Sequence, residues 1–187
     1  PSDSTVSLAK LTATGTKNST TFLRGDNTFN APPNTGITEA DQFRLTADIS
    51  NPSGDISSNL ERVDDATFAK IGTGMTESSG IYTFPSTGLY LVTLITQTTA
   101  INDAAMVVTM QSSSNSGTSY DDIANSMSGI ASGSINVTMS IGTFVNVTNA
   151  STFRVKFASS SFASGTLKGD TSKTETGFTF IRLGDSQ

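Results

Sequence analysis

The 187-residue sequence contains no cysteine, no histidine and no tryptophan, only three tyrosines, and few charges, with 14% of residues being Asp, Glu, Lys or Arg. Each absence removes a class of chemistry. Without cysteine there are no disulfides and no thiolate nucleophile, so an oxidising compartment is neither required nor excluded. Without histidine the His-dependent serine triads and most catalytic zinc sites are excluded. A net charge of −5 with no clustered Lys or Arg argues against a nucleic-acid partner. No apolar run approaches the ~20 residues of a helical membrane span, so membrane insertion is not expected. The first residues, PSDSTVSLAK, carry neither the basic nor the apolar region of a secretion signal and no Met. The expectation is a chain that has been trimmed or that forms part of a longer product.

Ser and Thr together supply roughly three residues in ten, threaded with Val, Ile and Phe at alternate positions. That alternation separates the chain from a Ser/Thr-rich linker and predicts an all-β fold. Residues 1–36 hold turn residues, including NAPPNTG, with little amphipathic pattern, and read as an extended arm. From residue 37 to 187, short runs recur every 8 to 15 positions. QFRLTADIS (42–50) places Phe43, Leu45, Ala47 and Ile49 on one face, and ATFAKIG (66–72) carries Phe68 and Ile71. GIYTFPSTGLYLVTLITQT (80–98) reads as two strands broken at 85–88, with Leu89, Leu91 and Ile95 among the apolar positions of the second. AAMVVTMQ (104–111) reads as a separate strand. In SINVTMSIGTFVNVT (134–148), Ile135, Val137, Met139 and Ile141 share one side. STFRVKFAS (151–159) puts Phe153, Val155 and Phe157 inward, and TGFTFIRLG (176–184) adds Phe178, Phe180 and Leu183. About eight to ten strands of this kind suit a two-layer jelly roll.

For catalysis the sequence leaves only carboxylates, among them Glu39, Glu61, Glu77, Asp64, Asp65, Asp121, Asp122 and Asp170. With three Tyr and no Trp there are few aromatic sugar platforms, so solvated loop carboxylates and no catalysis are expected; a polysaccharide depolymerase is the less favoured reading. The pairs Asp64-Asp65 and Asp121-Asp122 are candidate Ca²⁺ ligands if other oxygens complete the shell, although no Asp-x-Asp-x-Asp-Gly spacing accompanies them. No phosphate-binding loop is present and no cofactor is expected. Four Asn-x-Ser/Thr acceptors, at Asn18, Asn136, Asn146 and Asn149, arise by chance in so Ser/Thr-rich a chain. The polar loops 112–122 and 159–176 suit hydrogen bonding to sugar hydroxyls, with Ser116, Thr118, Tyr120 and Asp121 as receptor-contact candidates.

Two stretches carry resemblances. LTATGTKNSTTFLRGDNTF (11–29) resembles a pattern of bacteriophage tail fibres, in which Gly-Thr and a Ser/Thr spacer precede Thr-Phe-Leu-Arg-Gly-Asp-Gly-Thr-Trp ahead of the distal domain. Gly15, Thr16, Thr21, Phe22, Leu23, Arg24, Gly25, Asp26 and Thr28 match; Asn27 stands in place of Gly and Phe29 in place of Trp. GIYTFPSTGLYLVT (80–93), with ASGSINVTMSIG (131–142) and TGFTFIRLG, resembles the trimeric jelly roll of tumour necrosis factors and complement-type globular heads. The second resemblance implies a homotrimer with Tyr82 and Tyr90 packing near its axis, and the first implies that Phe22 and Phe29 are buried in the trimer. Arg24-Gly25-Asp26 also spells a tripeptide bound by animal adhesion receptors. Its place inside the fibre pattern, beside residues that a trimer would bury, argues against that use.

Together these point to a virion protein assembled in the host cytoplasm. In this reading residues 1–36 wind with two copies or attach to other virion proteins. Residues 37–187 then form a trimeric knob for a host-surface glycan or protein. A trimeric capsid decoration protein is the alternative.

Overall fold

The computed structural model describes residues 12–31 and 36–187. The chain divides into two compact units, residues 1–36 and 37–187. In the first, β1 (Phe22–Leu23) and β2 (Phe29–Asn30) form an antiparallel hairpin. Its turn is closed by Arg24 N–H donating to the Thr28 carbonyl at 2.8 Å, with Asn27 at φ 61°. Asn tolerates this left-handed conformation better than most residues, which is how the turn survives without glycine. Gly15, at φ 94°, passes so close to the Phe29 carbonyl that a Cβ would collide with it.

The second unit contains β3 (Ala40–Leu45), β4 (Ile49–Ser50), β5 (Gly54–Asp55), β6 (Leu60–Arg62), β7 (Thr76–Ser78) and β8 (Ile81–Thr83). These are followed by β9 (Gly88–Ser113), β10 (Asp121–Val147), β11 (Arg154–Ser160), β12 (Thr166–Leu167) and β13 (Gly177–Gly184). All eleven strands join one sheet, and β9 organises it. Along one edge β9 pairs with β10 for nearly its full length; along the other it pairs in turn with β13, β12 and β11. β13 continues to β3 and β6, and β11 to β8 and β7.

The sheet curls so that its two ends face each other. The ring of Tyr82, on β8, lies 5.1 Å from that of Phe43 on β3 and 4.9 and 5.8 Å from Phe180 and Phe178 on β13. Phe157, on β11, lies 5.8 Å from the same tyrosine. Aromatic edges and faces interlock at these separations, so the cluster binds the two layers beyond simple area burial. With Leu45, Val92, Leu94, Met106, Val108, Met110 and Met139 it forms the core of the knob. The outcome is the all-β jelly roll that the alternation predicts.

Several local expectations change. Residues 89–111 form one strand rather than two, bent where the alternation breaks: Ala100 and Asp103 are both buried, with Ile101 and Asn102 exposed between them. Asn102 takes φ 47°, and its Oδ1 accepts from Gly133 N–H at 2.7 Å on the facing strand, which itself shifts register there. Over 89–95 of β9 the buried residues are Tyr90, Val92 and Leu94, not Leu89, Leu91 and Ile95, because a run apolar at both parities does not choose its inner face; the partner strands do. Ile135 and Leu183 are exposed, beside the irregular registers of β10 and β13. Ala47 falls in a bend, and ATFAKIG is a turn in which Ile71 makes only an isolated bridge to Ala40. The 159–176 loop contains β12, whose Leu167 is buried.

Phe178→Ala should cost about 3–5 kcal/mol, because it empties the centre of the aromatic cluster. Met127→Ser, on an exposed side chain, should change stability by less than about 0.5 kcal/mol. Urea unfolding of the two variants measures the contrast.

Candidate functional site

Three surfaces of the described residues bear on function. The first is the outer face of the layer formed by β10, β9, β13 and β3. Directly opposed residues of paired strands point to the same face. The register therefore aligns Phe144 with Leu91, Leu91 with Ile181, and Ile181 with Ala40, while Ile71 bridges to Ala40. Phe144 is 63% exposed and Ile71 44%. This apolar row crosses the layer, with its ends Phe144 and Ile71 exposed and Leu91, Ile181 and Ala40 between them half-buried. Its sequence signal is slight: Phe144 is the one large apolar residue on the otherwise polar side of 134–148.

The second surface is a cleft of about 460 Å³ between the edge strands β6 and β7. Phe43, Leu60 and Met75 form its apolar lining, and Arg62, Glu61, Glu77, Thr73 and Thr76 its polar one. Arg62 sits opposite Phe43 in the inner-face register, and Glu77 opposite Tyr82, so both charges point inward from their edges. The Arg62 guanidinium stacks 4.9 Å from the Phe43 ring, pairs with buried Asp41 at 2.9 Å and reaches the Met75 carbonyl at 2.6 Å. Asp41 also accepts from Met75 N–H at 2.8 Å. The Arg62–Asp41 pair thus laces the two layers together at their open side.

Behind this cleft, Arg44 is fully buried on the outer side of β3 and donates to Glu61, Asp64 and Asp65, each at 2.7 Å, and to the Thr171 carbonyl. Burial alone would lower its pKa, but the hydrogen bonds to Glu61 and Asp65 outweigh that and raise it. The guanidinium thus engages one oxygen of each of the Ca²⁺ candidates Asp64 and Asp65. Asp121 and Asp122 lie at the start of β10, where Asp122 accepts from Gln111 at 2.6 Å. No group of three or more metal-ligating side chains is assembled among the described residues.

The third surface is the tip of the β9–β10 hairpin. Asn115 accepts from Ser113 Oγ at 2.8 Å and donates to Ser119 at 2.9 Å, and Thr118 donates to the Asn115 carbonyl at 2.9 Å. Ser116 is held at φ 63° with its N–H on the Thr152 carbonyl. The Tyr120 ring lies 4.3 Å beneath the Lys156 ammonium. Of the receptor-contact candidates, Thr118 and Tyr120 are therefore engaged within their own loop or with Lys156, while Ser116 and Asp121 have exposed side chains.

Tyr82 and Tyr90 lie inside the protomer's own core, 0% and 1% exposed, so neither offers surface to a neighbouring chain. Burial raises the pKa of both hydroxyls, an effect that the Ser86 hydrogen bond partly offsets at Tyr90. Phe22 is exposed and Phe29 half-buried in the arm. Arg24, Gly25 and Asp26 are exposed at the hairpin tip, where Asp26 accepts from Thr28 Oγ1 at 2.6 Å, the main cause of its lowered pKa.

No protein-family model matches the sequence, and a search of curated proteins finds no significant relative. Solved structures do resemble it. The Eiger TNF of S. frugiperda superposes with a TM-score of 0.64 at 12% identity, over 81% of this chain and 96% of that one. Murine APRIL at pH 5.0 gives 0.53 at 13% identity, and at pH 8.5 gives 0.52 at 12%, each covering 78% of this chain and 98% of APRIL. At such identities the likeness concerns the fold, a tumour-necrosis-factor-like jelly roll.

Arg44→Leu should destabilise the chain by about 1–3 kcal/mol, since it removes hydrogen bonds to the Thr171 carbonyl and to three carboxylates that remain partly hydrated. A smaller, pH-dependent effect belongs to Asp48, whose pKa the Lys168 hydrogen bond depresses below 3.8. Its contribution is present above that unfolded-state value and is lost as pH falls through the folded one. Asp48→Asn should therefore lower the melting temperature at pH 7 and narrow the gap between pH 7 and pH 3.

Proposed function

We propose that the chain is the distal part of a bacteriophage tail fibre or spike, a homotrimer that attaches the virion to the bacterial surface without catalysis. The observation that carries the reading is the apolar row from Phe144 to Ile71, exposed at both ends, on one face of a tumour-necrosis-factor-like jelly roll. A contiguous apolar strip of this kind is a liability on a solitary soluble protomer and marks a protein–protein surface. The face is a layer of a sandwich with an open strand edge, β10, beside it, which suits edge-to-face packing of three copies. The exposed Phe22 and Leu23 of the arm are available for burial by two further arms, in keeping with the fibre-like pattern around them.

Three knobs on one fibre would present every receptor contact in triplicate, and avidity can then exceed single-site affinity by ~10²–10⁴. That multiplication suits a surface of dense, repeated epitopes, and the sparsely charged, Ser/Thr/Asn-rich exterior suits glycans. The arm would join the knob to other virion proteins.

Sedimentation of the full chain should give a trimer, and Phe144→Glu should give folded monomers, because an unpaired charge in a desolvated interface costs several kcal/mol. A wild-type monomer would overturn the assembly. Antibody labelling of whole virions should place the chain at the tail in a few dozen copies or fewer; hundreds of copies over the shell would assign it to capsid decoration instead.

A further inference from the structure

We infer that the cleft between β6 and β7 is a sugar-binding site that takes a neutral, hydroxyl-rich residue of a surface glycan. The inference rests on the attachment role proposed above and assigns it to a place far in sequence from the 114–120 hairpin tip. The volume, about 460 Å³, lies within the range of small-molecule sites. Its lining is more polar than that of most small-molecule sites: Arg62, Glu77 and their neighbours surround a small apolar wall of Phe43, Leu60 and Met75, a balance suited to a hydroxyl-rich ligand.

Those polar groups are fixed by bonds that leave capacity over. Arg62 spends Nε and Nη2 on Asp41 and the Met75 carbonyl, which leaves Nη1 as a donor. Glu77 uses Oε1 to accept from Gly80 N–H at 2.7 Å and keeps a second oxygen as acceptor, whereas Glu61, opposed to Arg44 on the outer face, is engaged by that arginine. Thr73 and Thr76 also line the cleft. One fixed donor on β6 and one fixed acceptor on β7, beside a small apolar wall, suit the vicinal hydroxyls of a pyranose, each of which donates and accepts at once.

The charge balance selects among sugars. Arg62 is already neutralised by Asp41, and Arg44 is outnumbered by Glu61, Asp64 and Asp65, so Glu77 leaves the cleft with an excess of negative charge. Uronic and sialic acids are disfavoured and neutral sugars admitted. Strand addition by a peptide is disfavoured by the rims themselves. β6 and β7 are three residues each, and the inward-pointing Arg62 and Glu77 are the kind of device that blocks pairing at a sheet edge.

Isothermal titration of the full chain with chitotriose, maltotriose, mannotriose and trigalacturonate tests this. At least one neutral trisaccharide should bind saturably and trigalacturonate should not. Glu77→Gln keeps an oxygen for Gly80 but converts the free acceptor to a donor; it should weaken that binding about tenfold or more, with thermal unfolding unchanged. The triple variant Ser116→Ala, Thr118→Ala, Tyr120→Phe should bind as wild type does. Silence from all three neutral sugars, unaltered binding by Glu77→Gln, or loss of binding in the loop variant would overturn the assignment. Adsorption to host bacteria separates the two levels. Wild type and Glu77→Gln adsorbing equally would sink the cleft and leave attachment standing, whereas a wild-type chain that fails to adsorb would sink attachment itself.

Discussion

One hairpin has to serve both layers of the knob, and the rest of the structure follows from how it does so. β9 and β10 run together for more than twenty residues, far beyond a usual strand, and a flat ribbon of that length would enclose no core. The ribbon bends instead at Asn102, where a left-handed residue, a side-chain bond to Gly133 and two register shifts on the partner strand coincide. Asp103, turned inward at the bend, is satisfied by the Ala163 and Ser164 amides at 2.8 and 3.2 Å. The same carboxylate thereby ties the 161–165 turn to the corner. Gly129 is obligatory opposite it, because a Cβ there would run into the Asp103 carbonyl.

With the ribbon folded, Tyr82 from one layer can meet Phe43, Phe178 and Phe180 from the other, and the core is aromatic where the layers cross. The fold also has two different open sides. On one, β10 presents a long edge with no strand partner among the described residues and with no Lys, Arg or Pro in it, next to the apolar row of the outer face. On the other, β6 and β7 are short, carry inward charges, and are laced by Arg62 and Asp41. Edge strands need protection from indiscriminate pairing. The second side supplies it within the chain, while the first leaves it to whatever covers β10. That asymmetry leaves the two margins of one domain with different chemistry, one apolar and the other charged.

The arm follows a different logic. Its hairpin is held by backbone bonds across the turn and by Asp26 gripping Thr28, with few buried side chains. Pre-organised turns of this sort supply shape before they supply stability, and Phe22 and Leu23 stay exposed.

Much of this was legible in the residues alone. Alternation in 151–159 placed Val155 and Phe157 inward, Pro85-Ser86-Thr87-Gly88 marked a strand break, and Asn27 announced a left-handed turn, because each of these is a local rule of backbone sterics or of period-two burial. Tertiary structure alone decided the rest. Whether Tyr90 or Leu91 faces the core depends on which neighbours β9 acquires, since both parities of that run are apolar. The meeting of Arg44 with Glu61, Asp64 and Asp65, the burial of Tyr82 by rings from two layers, and the cleft between β6 and β7 all arise from segments far apart in sequence. Local chemistry sets what a strand can be; only the closing of the sheet determines what that strand will touch.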